Sequence, residues 1–173
     1  NGKFPLKWKE QGKYILDGSN PAHDWQGWIP TEQNPTVKNP PRGFVSSANQ
    51  FSTDPTYPYY LGRNYPPYRG FIINRKLNAM SNITPQDMMA LQTSNYDVFA
   101  EMARPIFLKN INESGFNEDE KRYLDMLKSW DLNNEVEATG PTVFSILWEN
   151  FDNTVFEDEF KKAPAVIMHP FES

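Results

Sequence analysis

Few side chains in this sequence are placed to do chemistry. The two histidines, His23 and His169, stand far apart and lack the short spacing of a metal-ligand pair. Ser46 and Ser47 are not set in the glycine-flanked elbow that exposes a nucleophilic serine, and neither histidine has a convincing acid partner. Glycines are too sparse for a phosphate-cradling loop. There is no cysteine, which removes disulfides, thiolate metal sites and a thiol nucleophile. The acids at 118–120 and 157–159 read as solvated charges at helix ends. Trp25, Trp28 and the tyrosines at 57, 59, 60, 65 and 68 offer flat faces that either bind a ligand or pack long loops down, and packing is the simpler reading. Asn49, considered alone, is a turn asparagine beside a strand.

The totals narrow the partners. A net charge of -5, with no basic cluster, argues against a nucleic-acid backbone. No run of about 18 apolar residues is present, so no transmembrane helix is expected. The first ten residues lack the apolar stretch of a signal peptide. The 173 residues suffice for one domain. The apolar run Val166–Met168 lies close to the last residue, and the chain is expected to be cut from something longer.

The elements that must position any site change character near residue 70. Most of the 15 prolines precede it. Proline removes a backbone donor and restricts its neighbour, so residues 1–68 are expected to form short strands and long ordered loops. Lys13–Leu16 and Gly43–Ala48 are the candidate strands. Residues 69–173 read as mainly helical. A helix is expected over Arg69–Met80. Thr84-Pro85-Gln86-Asp87 is a strong start signal, and Met88, Leu91, Asn95, Phe99, Met102 and Ile106 follow on one stripe, with Pro105 as a kink. Asn117 through Glu120 starts another helix, with Tyr123, Leu124, Leu127 and Trp130 on its buried side. Thr139-Gly140-Pro141 starts a third, amphipathic through Val143, Phe144, Leu147, Trp148, Phe151, Val155 and Phe156. The expected fold class is α+β, with a strand-and-loop part followed by a helical layer, in a single fragment of a larger domain.

One ordered series of blocks carries more. D-W-Q-G-W-I-P at 24–30 is followed by N-P-P-R-G-F-V-S-S-A-N-Q at 39–50. Then come Y-R-G-F-I-I-N-R at 68–75, T-P-Q-D-M-M-A-L-Q-T-S-N-Y-D at 84–97 and S-W-D at 129–131. Each block is weak by itself. Together, in this order and covering residues 14–151, they resemble the penicillin acylase family of N-terminal-nucleophile hydrolases, which includes cephalosporin and homoserine-lactone acylases.

The resemblance implies an amidohydrolase that cleaves an N-acyl amide, such as a β-lactam side chain or an acyl-homoserine lactone. Its nucleophile is a serine exposed by self-cleavage, whose own amine is the base. Asn1 cannot play that part. This chain would be an interior segment of the large chain, part of an αββα fold, and inactive when isolated. Two catalytic-site residues carry over. Asn49 matches the asparagine that donates into the oxyanion hole, where negative charge develops on the carbonyl oxygen. Arg69 matches an arginine near the nucleophile's amine; its charge would favour the neutral amine that acts as base. Arg63 and Arg75 are the alternatives for that match. Gln92, Asp97, Trp130 and Asp131 also match, in structural roles. The family often binds calcium, but Asp54 is the only acid in the Gln50–Tyr68 loop and stands too early. No cofactor is therefore expected in this segment, and calcium is left to the parent enzyme. The implied partners are the rest of the parent acylase and a small N-acyl substrate, in a periplasmic or secreted bacterial enzyme. The rival reading is a non-catalytic module that binds a ligand through its aromatic loops.

Overall fold

A computed structural model describes residues 2–12, 15–62 and 66–162. Five α-helices follow a long irregular region: α1 (Tyr68–Ala79), α2 (Pro85–Gln92), α3 (Val98–Asn110), α4 (Glu118–Ser129) and α5 (Gly140–Lys162). Three short 3-10 turns lie at Pro21–His23, Thr31–Gln33 and Glu113–Gly115. The chain divides into two compact units, Asn1–Leu91 and Gln92–Ser173.

The helices expected after residue 68 are formed. The short strands are not: among the described residues there are only two isolated antiparallel bridges, Pro5 with Trp28 and Tyr96 with Asn133. A strand needs a neighbouring ladder, and none is supplied to Gly43–Ala48. Side chains take the backbone groups instead. Arg42 Nε donates to the Phe44 carbonyl at 3.0 Å and Gln50 Nε2 to the Ser46 carbonyl at 3.3 Å. Burial still alternates along the segment: Phe44, Ser46 and Ala48 turn inward while Val45 and Ser47 are exposed, the period of a strand. Of the Lys13–Leu16 candidate, Lys13 and Tyr14 lie outside the described residues, and Ile15 and Leu16 are in no strand. The run at Val166–Met168 is also outside them.

The first unit is held by backbone and loop hydrogen bonds more than by helix packing. Leu6 donates to Gly27 at 2.8 Å and Ile29 to Phe4 at 2.9 Å, pairing the N-terminal segment with the block at 24–30. Buried Gln11 donates to the His23 carbonyl at 2.9 Å. The tyrosine loop is tied down at Gln33: Tyr57 donates to its carbonyl and Tyr59 to its side-chain oxygen. Those two rings meet edge-on at 5.6 Å. These tyrosines therefore do the packing job expected of them. Trp25 and Trp28, by contrast, meet edge-on at 5.9 Å and stay about half exposed.

Helix starts follow local sequence closely. The Thr84 hydroxyl and amide donate to Asp87 at 2.7 and 2.8 Å, which opens α2. Asn117 and Glu120 form a reciprocal capping box at α4. The stripe from Met88 to Ile106 is not one helix, however. Residues 93–97 break it, because the Asp97 amide donates to the Leu132 carbonyl at 2.8 Å while its side chain caps α3 by accepting from the Ala100 amide. Pro105 sits inside α3 without ending it.

The second unit has the better core: Ala100, Leu127, Trp130, Leu132 and Phe144 are buried together. Trp130 is its keystone. Its indole donates to the Asn133 carbonyl at 2.8 Å. Arg104 lies 6.0 Å above its ring, and the same guanidinium donates to the carbonyls of Leu127 and Trp130 at the end of α4. Phe99 meets Trp148 edge-on at 4.6 Å, and Phe107 meets Phe151 at 5.1 Å. Several residues expected on apolar faces are exposed: Met88, Met102 and Ile106 of the stripe, Tyr123 on α4, and Phe151 and Val155 on α5.

Gly140 starts α5 against Trp130. A Cβ built there would stand 2.3 Å from Trp130 Cγ, far inside contact distance. Gly140→Ala is expected to destabilise the unit by about 1–3 kcal/mol, the usual cost of overpacking a dense core. Thermal unfolding checks this, and an unchanged Tm would show that α5 does not start against the indole.

Candidate functional site

Asn49 and Arg69, twenty residues apart, meet in the structure. Arg69 Nη2 donates to Asn49 Oδ1 at 2.8 Å. Asn49 has φ of 63°, in the left-handed region that asparagine tolerates better than other side chains. That backbone turn ends the 43–48 segment and brings the amide to the helix. Arg69 sits in the first turn of α1, after the Pro66-Pro67 pair, with Pro67 as the preceding cap residue. Both side chains are exposed.

The hydrogen bond fixes the orientation of the asparagine. A guanidinium has donors and no acceptor, so it must face Oδ1. The Nδ2 group, with its two N–H donors, then points away from Arg69. No further partner engages it among the described residues. The arrangement is an uncharged donor held by a cation, beside a helix start. Chemically, it can receive a developing negative charge on an oxygen.

Behind this pair lies a cluster that sequence reasoning missed. Asn74 Oδ1 accepts from Arg42 Nη1 at 2.8 Å and from the Ser46 hydroxyl at 2.9 Å. Asn74 Nδ2 donates to the Gly70 carbonyl at 2.7 Å. Gln50 Oε1 accepts from the Ala48 amide at 2.6 Å. A Cβ on Gly70 would lie 3.4 Å from the same oxygen, an ordinary contact, so Gln50 packs directly on the first turn of α1.

The remaining candidates do other things. Asp97 caps α3, and Trp130 packs the core. Asp131 folds onto Asn133, accepting from its amide and side chain, both at 2.9 Å. Gln92 ends α2, exposed. His23 Nδ1 lies 3.1 Å from the Asp17 carbonyl, and His169 is outside the described residues. Arg75 lies farther along α1, and Arg63 is outside the described residues. Among the described residues, Asp54 is the acid nearest the place where the family would hold calcium, an ion that takes 6–8 oxygen ligands. Asp54 already spends Oδ1 on the Thr56 hydroxyl and amide, which hold its carboxyl below the ordinary value. No cluster of three potential metal ligands exists among the described residues.

Residues 1–172 match the family model described as penicillin amidase. A penicillin acylase 2 proenzyme from Pseudomonas sp. (strain SE83) is 33% identical over 90 residues, 51% of this chain and 12% of that protein. An acyl-homoserine lactone acylase, QuiP, from Pseudomonas syringae pv. tomato is 26% identical over 141 residues, 79% of this chain and 16% of that protein. The chain thus spans only a small fraction of the curated relatives it matches. No solved structure matches it.

Proposed function

The chain belongs to the penicillin amidase family, and from that premise we propose that it is the segment of an acylase that supplies an oxyanion donor. The parent hydrolyses a linear N-acyl amide through an N-terminal serine carried elsewhere in the polypeptide. One observation carries the role given to this segment: the Arg69–Asn49 hydrogen bond, which leaves the Asn49 Nδ2 donors facing outward.

The chemistry runs in two stages. The serine oxygen bonds to the amide carbonyl carbon while its proton passes to the serine's own amine. The carbonyl oxygen takes the electron pair and becomes anionic, and Asn49 Nδ2 donates to it. The tetrahedral species then expels the amine, which leaves with the proton. Water repeats the attack on the resulting ester and releases the acid. Asn49 suits the task because it donates without bringing a charge. Arg69 keeps the amide in that orientation, and its cation disfavours protonation of the nearby amine that must act as base.

In the parent, the 43–48 segment gains its ladder partner within an αββα sandwich. The enzyme is bacterial and acts in the periplasm or outside the cell. The remainder of the parent acylase is this chain's main partner.

The test is an assay with chromogenic phenylacetyl and fatty-acyl amides. The complete acylase is expected to hydrolyse at least one of them, and the isolated chain neither. Turnover by the isolated chain that disappears in Asn49→Ala would overturn the placing of the nucleophile outside it.

A further inference from the structure

Besides Arg69, a second side chain on α1, Asn74, joins the helix to the segment that ends in Asn49. Asn74 Oδ1 takes two hydrogen bonds that cross from helix to segment, from Arg42 and from Ser46. Its Nδ2 is anchored on the Gly70 carbonyl of its own helix. Arg42 is a donor only, so the amide cannot turn over without losing that contact. Three of its four hydrogen-bonding positions are then filled.

The geometry gives this clamp a place in the chemistry. Ser46 lies three residues before Asn49, and Gly70 follows Arg69 directly. The clamp therefore holds the segment just before the donor and the helix turn that carries the arginine. Gln50 braces the same turn from the other side, accepting from Ala48 and donating to Ser46. Asn49 itself sits in a left-handed conformation, and its only side-chain hydrogen bond among the described residues is the one to Arg69. Gln50, the next residue, packs on Gly70 and adds a contact without a hydrogen bond to the helix.

We propose that Asn74 is a positioning residue for the reaction: it sets the separation of Asn49 and Arg69, and thereby the aim of the oxyanion donor, without touching the substrate. This rests on the reading of Asn49 as that donor. A donor loosened by about 1 Å can cost roughly 100-fold in rate. Because the donor acts on charge present only in the transition state, the loss falls on kcat and not on KM.

The experiment is a double-mutant cycle in the complete acylase, with kcat and KM read separately. Asn74→Ala is expected to lower kcat roughly 10–100-fold at unchanged KM. Asn74→Asp keeps both acceptor bonds to the segment but sets a carboxylate oxygen against the Gly70 carbonyl, so its kcat is expected to lie between that of the wild type and that of Asn74→Ala. In an Asn49→Ala background, Asn74→Ala is expected to cost nothing further, because its target is gone. An equal loss in both backgrounds, or no loss in either, overturns the proposal. If Asn74→Ala does not fold, Ser46→Ala removes one of the two crossing bonds. It is then expected to lower kcat several-fold only when Asn49 is present, and a loss that ignores Asn49 again overturns the proposal. Unchanged kcat in Asn49→Ala alone is a different result: it removes the donor reading on which the clamp's role depends.

Discussion

Asn49→Ala in the complete acylase is expected to lower kcat by about 100–1,000-fold, the usual cost of removing one oxyanion donor. KM is expected to stay close to its starting value, since the ground-state carbonyl needs the donor far less than the anion does. Part of any change in stability will come from the backbone. Alanine at φ of 63° is strained where asparagine is tolerated. Asn49→Asp separates the two effects. Aspartate tolerates the same backbone region and can accept from Arg69, but it presents a carboxylate oxygen where Nδ2 had been. Its kcat is expected to fall at least as far as that of the alanine variant, with a stability closer to wild type. The fold is read by circular dichroism and the rate with the most responsive chromogenic amide. Near-normal kcat in a folded Asn49→Asp enzyme would end the oxyanion assignment.

The second large effect concerns stability. Trp130→Ala is expected to cost about 3–5 kcal/mol, the range for deleting a buried large aromatic side chain. Trp130 is 7% exposed and packs against Phe144, 6.0 Å between ring centres. Losing it also removes the wall against which Gly140 starts α5 and the ring beneath Arg104. Arg104 would still reach its two carbonyls, so the end of α4 keeps its cap while the core beneath it opens. Urea unfolding of the chain, followed by far-ultraviolet circular dichroism, measures this. A loss within the roughly 0.5 kcal/mol of a surface change would mean that the core is organised around another residue.

What the sequence showed about the fold was what local chemistry decides. Thr84 with Asp87, Asn117 with Glu120, and Gly140 at the start of α5 lie within a few residues of the backbone they control, and each was readable. The break at residues 93–97 was not. It depends on the Leu132 carbonyl, thirty-five residues beyond Asp97, and the apolar spacing runs straight through it. The 43–48 segment forms no strand here for a related reason. Its burial alternates as a strand's does, but pairing belongs to a neighbour that no local pattern supplies. Tyr123 and Val155 follow the helical period and still face outward, because periodicity marks a face without saying whether anything covers it.

The candidate site was legible in one respect. The ordered blocks pointed to Asn49 and Arg69, and the structure joins them by a hydrogen bond. The apparatus behind them was not legible. Asn74 is a polar residue in the middle of a helix, and nothing nearby in sequence distinguishes it from a solvated one. Its partners Arg42 and Ser46 lie thirty-two and twenty-eight residues away.

The positive φ at Asn49 also restricts which residues could replace it. Glycine would keep the bend and leave no donor. Glutamine would keep a carboxamide but resist the bend, and its longer stem would carry the amide past Arg69. Serine could donate, yet it cannot at the same time accept from the arginine along a second atom of a planar group. Backbone shape and proton donation are thus two separate demands on one position, and asparagine lies where they intersect. Random mutagenesis of codon 49 with selection for growth on the released acid should therefore recover asparagine almost alone, while codon 45, whose side chain points outward, should return a broad mixture.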